Sequence, residues 1–187
     1  MRRWRMTSAA TAGAAADERS AGWLCWRGNA EGLGGFTCVN RLSLVTLQPT
    51  GMGFFGLIGS IGALSTTLTL SAAVNALGIG FEMGAHANWQ IVHNDGSGAP
   101  TLIDLGTGFP VASTANVLTL YILAAPNGDE VGIRVVEEVL GAVAEVTISS
   151  DLPAPTQLLS PRNYLNNGST AAAVSYDCSG VYVETDF

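Results

Sequence analysis

Histidines 86 and 93 are the only two in the 187-residue chain, which restricts acid–base chemistry near neutral pH. Nucleophilic catalysis needs a Ser or Cys beside a His base that a third group orients. No G-x-S-x-G turn occurs, and Asn94-Asp95 after His93 is a turn signal first. Glycoside cleavage needs two carboxyl groups facing one another across a groove, about 5–10 Å apart. Glu137 and Glu138 are adjacent, so a strand sends them to opposite faces. Glu184 and Asp186 alternate, but at the end of the chain, where a solvated strand end is the simpler account. Cysteines 25, 38 and 178 contain no CxxC pair, whereas a structural zinc site draws four ligands at short spacing; they read as buried free thiols. A metal site on His93 and Asp95 ranks behind the turn. The expectation is a protein that is not an enzyme, with no catalytic residues, no metal and no cofactor. One constellation fits binding: Trp89, His93, Asn94 and Asp95 combine an aromatic ring with loop donors and acceptors, the groups that hold a glycan. Trp89 also opens a strand, where such a ring packs into a core.

These residues need a scaffold, and its type is legible. With 48% hydrophobic and 12% charged residues, the chain is too apolar for disorder. Phe36 to Val45 alternates, with Phe36, Cys38, Asn40, Leu42 and Leu44 on one side. From Val117 to Ser149, three alternating runs are separated by Pro126-Asn127-Gly128-Asp129 and by Glu137 to Gly141, an antiparallel meander. Further strands are expected at 23–27, 54–58, 78–83, 89–93, 101–105, 172–176 and 180–184. One short helix is expected around 71–75, and 151–170 reads as loop. Eight to ten short strands make an all-β protein, an antiparallel β-sandwich of jelly-roll type.

Charge is uneven. Residues 1–41 carry net +3, through six arginines, and residues 42–187 carry −10. Residues 1–20 therefore read as an extended N-terminal arm whose Arg2, Arg3, Trp4 and Arg5 dock on something acidic, ahead of one domain at 21–187. The net charge of −7 argues against nucleic-acid binding. The forty uncharged residues 42–81 are broken by seven glycines and a Ser/Thr cluster, so no membrane span is expected. The stretch is long for a monomer's core, which points to Phe54 and Phe55 as a contact with another subunit.

A series of short motifs carries a family resemblance. Cys25-Trp26-Arg27-Gly28-Asn29 and Gly34-Gly35-Phe36 come first, then Gly78-Ile79-Gly80 and the block from Asn88 to Gly98. Ile103-Asp104-Leu105-Gly106, Phe109-Pro110, Ala125-Pro126-Asn127-Gly128, Val131 to Val135, Asp151-Leu152-Pro153, Asn166-Asn167-Gly168 and Val181 to Asp186 follow in order. Over residues 21–187 this resembles a domain of tailed-bacteriophage tail fibre and minor tail proteins. The resemblance implies a concanavalin- or lectin-like jelly roll and a non-enzymatic virion structural protein, assembled in the host bacterial cytoplasm. It also implies self-association, as a trimer, and head or tail proteins as partners. A fibre carries a long shaft ahead of this domain. Only about 20 residues precede it here, which points to a short head or tail fibre, a tail adaptor or a capsid decoration. The alternative is a lectin-like receptor-binding module for host-surface glycan.

Overall fold

The computed structural model describes residues 2–185. Its strands are β1 (Trp4–Thr7), β2 (Ala15–Arg19), β3 (Phe36–Thr46), β4 (Met52–Ile58), β5 (Ala76–Glu82) and β6 (Gln90–Asn94). They continue with β7 (Thr101–Asp104), β8 (Leu118–Ala124), β9 (Val131–Glu137), β10 (Val143–Ile148), β11 (Ser160–Asn166) and β12 (Ser175–Thr185). Two six-stranded antiparallel sheets result: sheet A runs β1-β12-β3-β8-β9-β10 and sheet B runs β2-β11-β4-β5-β6-β7. The fold is a jelly-roll β-sandwich. The expected helix near 71–75 is a single 3-10 turn at Leu70–Ala72. Residues 23–27 make only the bridge Cys25↔Leu159.

The alternating runs bury the faces that the pattern assigns. Leu118, Leu120 and Ile122 of β8 and Val131, Ile133 and Val135 of β9 enter the core with Phe36, Cys38, Leu42 and Leu44 of β3. Their neighbours form an open outer face on sheet A, which includes Tyr121, Arg134, Glu145 and Tyr182. Burial of the three free thiols pushes Cys38 up to about 12 and Cys178 up to about 11, with Cys25 raised further. None is a thiolate near neutral pH.

The quoted motifs meet in space. The Arg27 guanidinium donates from Nε and Nη2 to the Pro153 carbonyl (3.0 and 2.8 Å) and from Nη1 to the Gly128 carbonyl (2.9 Å). Asn127 N–H donates to the Arg27 carbonyl at 2.8 Å. Three turns far apart in sequence are thus tied by one buried arginine.

The structure corrects three expectations. Phe54 and Phe55 are both fully buried within one chain. Sheet B is covered on both sides: Phe55 packs in the main core, while Phe54 joins a second cluster with Met52, Ile58, Leu70, Ala73, Val92 and Tyr164. The covering element is residues 59–75, a strap across the outer face of sheet B. Two buried faces, not a subunit contact, account for the long uncharged stretch.

Residues 2–20 do not project. β1 pairs with Ser175–Cys178 of β12, and β2 pairs with β11 from Arg162 to Asn166. Each forms the edge of one sheet. Arg5 donates to Asp177 from Nε (2.7 Å) and from its terminal nitrogen (3.0 Å), and Arg3 Nε lies 3.2 Å from the same carboxylate. The arginines are drawn onto the body by an aspartate that is itself 4% exposed. Hydrogen bonding to Arg5 holds the Asp177 carboxyl below the usual range, against the opposing effect of burial. A depressed folded value means that the contact's stability is present above the unfolded value of about 4 and is lost as pH falls below it. We expect the β1 amides, after correction for intrinsic exchange, to exchange faster below about pH 4. In Asp177→Asn they should be fast at every pH; a wild type with no acid-dependent step would remove Asp177 as the latch.

The third correction is β11, inside the segment read as loop. Its sequence, Ser-Pro-Arg-Asn-Tyr-Leu-Asn, is polar, yet all seven residues are buried. Each of its long polar side chains has partners. Asn163 accepts from Asn40 (2.5 Å) and donates to Glu18 (2.9 Å). Asn166 accepts from the Met52 N–H (2.9 Å) and donates to the Leu68 carbonyl (3.1 Å). Arg162 donates to Asp17 (2.8 Å) and to the Gly62 carbonyl (2.9 Å). β11 therefore fastens both β2 and the strap to sheet B.

Candidate functional site

The antiparallel register brings Met52 at the start of β4 beside Glu82 at the end of β5 and Asn166 at the end of β11. A cavity of about 600 Å³ opens at this end of sheet B. Its floor is Met52, Asn166, Leu68, Met83 and Glu82, and exposed Thr50, Thr67, Thr69 and Ser169 stand around its rim. Five chain segments meet there: the β1–β2 turn at Ala12 and Gly13, the β3–β4 turn, the strap, the end of β5 and the β11–β12 turn.

Local chemistry holds each segment in place. Asn166 bridges β4 and the strap, as above, and its Nδ2 also lies 3.2 Å from the Tyr164 hydroxyl. Thr50 Oγ1 accepts from the Ser169 N–H at 3.0 Å and donates to the Asn167 carbonyl at 3.2 Å. Gly168 makes this approach possible. Its φ is +56°, and a Cβ would sit 2.0 Å from the Thr50 carbonyl oxygen. Glu82 Oε1 accepts the Leu70 N–H, which anchors the strap's 3-10 turn. The Glu82 N–H in turn donates to His86 Nδ1 at 3.0 Å. The other carboxylate oxygen, Oε2, has no partner among the described residues. Among the residues lining the cavity, Glu82 alone is charged. The arrangement presents hydroxyls, one carboxylate and a partly apolar floor to a small polar molecule.

The residues proposed from sequence for glycan contact lie elsewhere. Trp89 is 1% exposed in the main core, with its ring centroid 4.8 Å from Phe81 and 5.7 Å from Phe55. His93, Asn94 and Asp95 lie at the opposite end of sheet B, where Asn94 pairs with Ala76, roughly 20 Å away along β5. There they build a turn. Asn94 Oδ1 accepts from Gly96 N–H (2.7 Å), and Asp95 Oδ1 accepts from Ser97 Oγ (2.7 Å); the Ser97 donors hold the Asp95 carboxyl below the usual range. His93 Nδ1 lies 3.0 Å from the Asp151 carbonyl oxygen; a carbonyl only accepts, so Nδ1 carries the proton. The Asp151 carboxylate accepts from Asp95 N–H (3.0 Å), Thr101 N–H (3.1 Å) and Thr101 Oγ1 (2.7 Å). Of the four residues only Asp95 is exposed, and it serves its own turn. The cavity residues Thr50, Glu82, Asn166 and Ser169 were not singled out by chemistry in the sequence, although Asn166 and Gly168 lie in a quoted motif.

Among the described residues no group of three or more His, Cys, Asp or Glu could hold a metal ion, and no helix is long and apolar enough to cross a membrane. No protein-family model and no curated protein matches the chain. Solved structures do. Lectin II from Ulex europaeus superposes with a TM-score of 0.63 at 10% identity, over 97% of this chain and 84% of that one. The CBM2 module of the evolved Dit of Lactobacillus casei BL23 phage J-1 gives 0.55 at 12% identity, over 97% and 76%. The alginate lyase from Klebsiella pneumoniae gives 0.51 at 10% identity, over 80% and 59%. The chain has a lectin-like jelly-roll fold. That fold serves both a lectin and a lyase, so function is argued from the site.

Proposed function

We propose that this protein is a carbohydrate-binding module of a phage virion, and that a sugar sits in the cavity at the Glu82 end of sheet B. The observation that carries the reading is the cavity's lining: hydroxyls of Thr50, Thr67, Thr69 and Ser169 and the open oxygen of Glu82 above a floor of Met52, Leu68 and Met83. Sugar hydroxyls exchange hydrogen bonds with such groups while the ring's C–H face lies on the apolar floor. With Glu82 the sole charge, the cavity favours neutral or amino sugars over uronic or sialic acids. The virion setting is supported by the order and spacing of the short motifs and by the likeness to a phage-borne module, and it agrees with assembly in the bacterial cytoplasm. Binding rather than cleavage is supported by the lone carboxylate, since glycoside cleavage ordinarily uses two.

The test is a glycan array with wild type, Glu82→Gln and Thr69→Val, each checked for unchanged melting. Glu82→Gln keeps an oxygen for the Leu70 N–H and removes the charge. Bonds to charged groups are worth about 1.5–3 kcal/mol, so the retained glycan should bind about tenfold more weakly or worse. An array without hits, or hits untouched by both substitutions, sinks the proposal. Light scattering on the same preparation tests the trimer; a monomeric mass removes it.

A further inference from the structure

We propose that the second half of β12 is a docking edge for an extended, acidic segment of a partner protein. This goes beyond the glycan reading and involves none of its residues. β12 has eleven residues, but β1 covers only Ser175–Cys178 on its outer side. Beyond that point β3 pairs with β12 on one side, and among the described residues no strand pairs with the other side from Gly180 to Glu184. Such an edge presents a row of backbone N–H and C=O groups that an incoming strand can complete.

Two depressions flank the edge, one for each side-chain direction of a strand laid along it. Towards the outer face of sheet A lies a hollow of about 450 Å³ lined by Arg3, Arg41, Ser43, Val117, Asp177 and Ser179 among others. Between the sheets lies one of about 370 Å³ lined by Leu24, Val181, Val183, Glu18, Arg19 and Asn163 among others. Alternate residues of an added strand would point into the two hollows in turn.

Charge selects the occupant. Around the outer hollow three arginines, Arg3, Arg5 and Arg41, face two carboxylates, Asp177 and Glu138. Asp177 is taken by Arg5 and Arg3. Arg41 reaches Glu138 only at 3.9 Å, so most of its donors are open. The hydroxyls of Ser43 and Ser179 have no hydrogen-bond partner among the described residues. Gly180 stands opposite Arg41 in the ladder. Its φ of +147° calls for glycine, and a Cβ there would meet nothing within 4 Å. The missing side chain leaves a slot through which a Glu on the incoming strand can pass over β12 to Arg41. The segment that fits alternates acidic residues outward with valine- or threonine-sized residues inward. A second copy of this chain is the weaker occupant. Two-fold pairing through Tyr182 sets only Gly180 to Glu184 of each copy side by side, far short of the roughly 20–30 residues a side of a stable interface.

The probe is a synthetic peptide alternating glutamate with valine, titrated calorimetrically into the intact protein, with a lysine–valine peptide as control. Amide exchange then maps the contact. The glutamate peptide should bind, the lysine peptide should not, and the amides of residues 180–184 should slow on binding. The Arg3 and Arg41 side chains are 65% and 36% exposed and Arg5 still holds Asp177, so Arg3→Gln with Arg41→Gln should fold as wild type by circular dichroism and weaken binding at least tenfold. Glu82→Gln should leave peptide binding unchanged, which separates this edge from the sugar cavity. No binding, equal binding of the lysine peptide, indifference to the double substitution, or protection elsewhere overturns the proposal. So does a dimer in light scattering whose formation protects residues 180–184, which would give the edge to a second copy.

Discussion

Trp89→Ala is expected to lower the melting temperature by roughly 6–20 °C and to abolish no sugar contact of its own. The indole is 1% exposed and meets Phe81 edge-on at 4.8 Å, interplanar angle 77°, and Phe55 at 5.7 Å. Its backbone is also fastened, with Trp89 N–H donating to the Phe109 carbonyl and Leu105 N–H to the Trp89 carbonyl, both at 2.9 Å. The strand therefore cannot slide in to fill the hole. Removing a buried Trp costs about 3–5 kcal/mol, the lost transfer energy plus the cavity left behind. In a chain of this size each kcal/mol shifts melting by about 2–4 °C. That is a large part of a typical stability of about 5–15 kcal/mol. Thermal unfolding followed by circular dichroism measures it. A variant that melts like wild type but loses glycan would put the ring at a surface site and refute the packing described above.

Arg162→Ala is expected to cost a comparable amount, with a pH dependence that packing alone does not produce. The Arg162 side chain is fully buried, with Nε 2.6 Å from Asp17 Oδ1. That N–H is not aimed at the oxygen, so the aligned bonds are those from Nη2 to Asp17 and from Nη1 to Gly62. Truncation leaves a half-buried carboxylate without its cation and an orphaned carbonyl in the strap. Breaking a buried pair from one side costs about 3–5 kcal/mol. Burial already outweighs the guanidinium and holds the Asp17 carboxyl above the usual range; without Arg162 it rises further. A raised folded value destabilises the ionised form, so the penalty grows as pH climbs from the unfolded value of about 4 and fades below it. Denaturant unfolding at pH 4 and pH 7 should therefore show a smaller deficit at the lower pH. Arg162→Met restores most of the volume and separates cavity from charge. A deficit equal at both pH values would mean that Asp17 is not what the arginine serves.

Both sites show why reading this chain residue by residue succeeds in some places and fails in others. Alternation is a local property, and wherever it is clean the structure follows it: β3 and the β8–β10 meander bury the side that the pattern assigns, and Pro126-Asn127-Gly128-Asp129 turns the chain between β8 and β9. The all-β sandwich was thus legible from spacing alone. β11 was not legible, because Arg162, Asn163 and Asn166 look solvated until partners from β2, β3, β4 and the strap are supplied. The N-terminal arginines looked free because Asp177, which captures Arg3 and Arg5, lies more than 170 positions away. Phe54 and Phe55 looked surplus because nothing local says that the strap folds back over sheet B.

The candidate cavity belongs wholly to the tertiary structure. Thr50, Glu82, Asn166 and Ser169 share no local pattern, and only the register of β4 with β5 and β11 sets them around one space. Trp89, His93, Asn94 and Asp95 share the strongest local pattern of binding groups, yet they are spent on a core and a turn. The sequence by itself determined an antiparallel β-sandwich, because side-chain periodicity and turn chemistry act over a few residues. The tertiary structure decided which polar groups are left over for a ligand, because a polar group's availability depends on partners that the chain brings to it from far away.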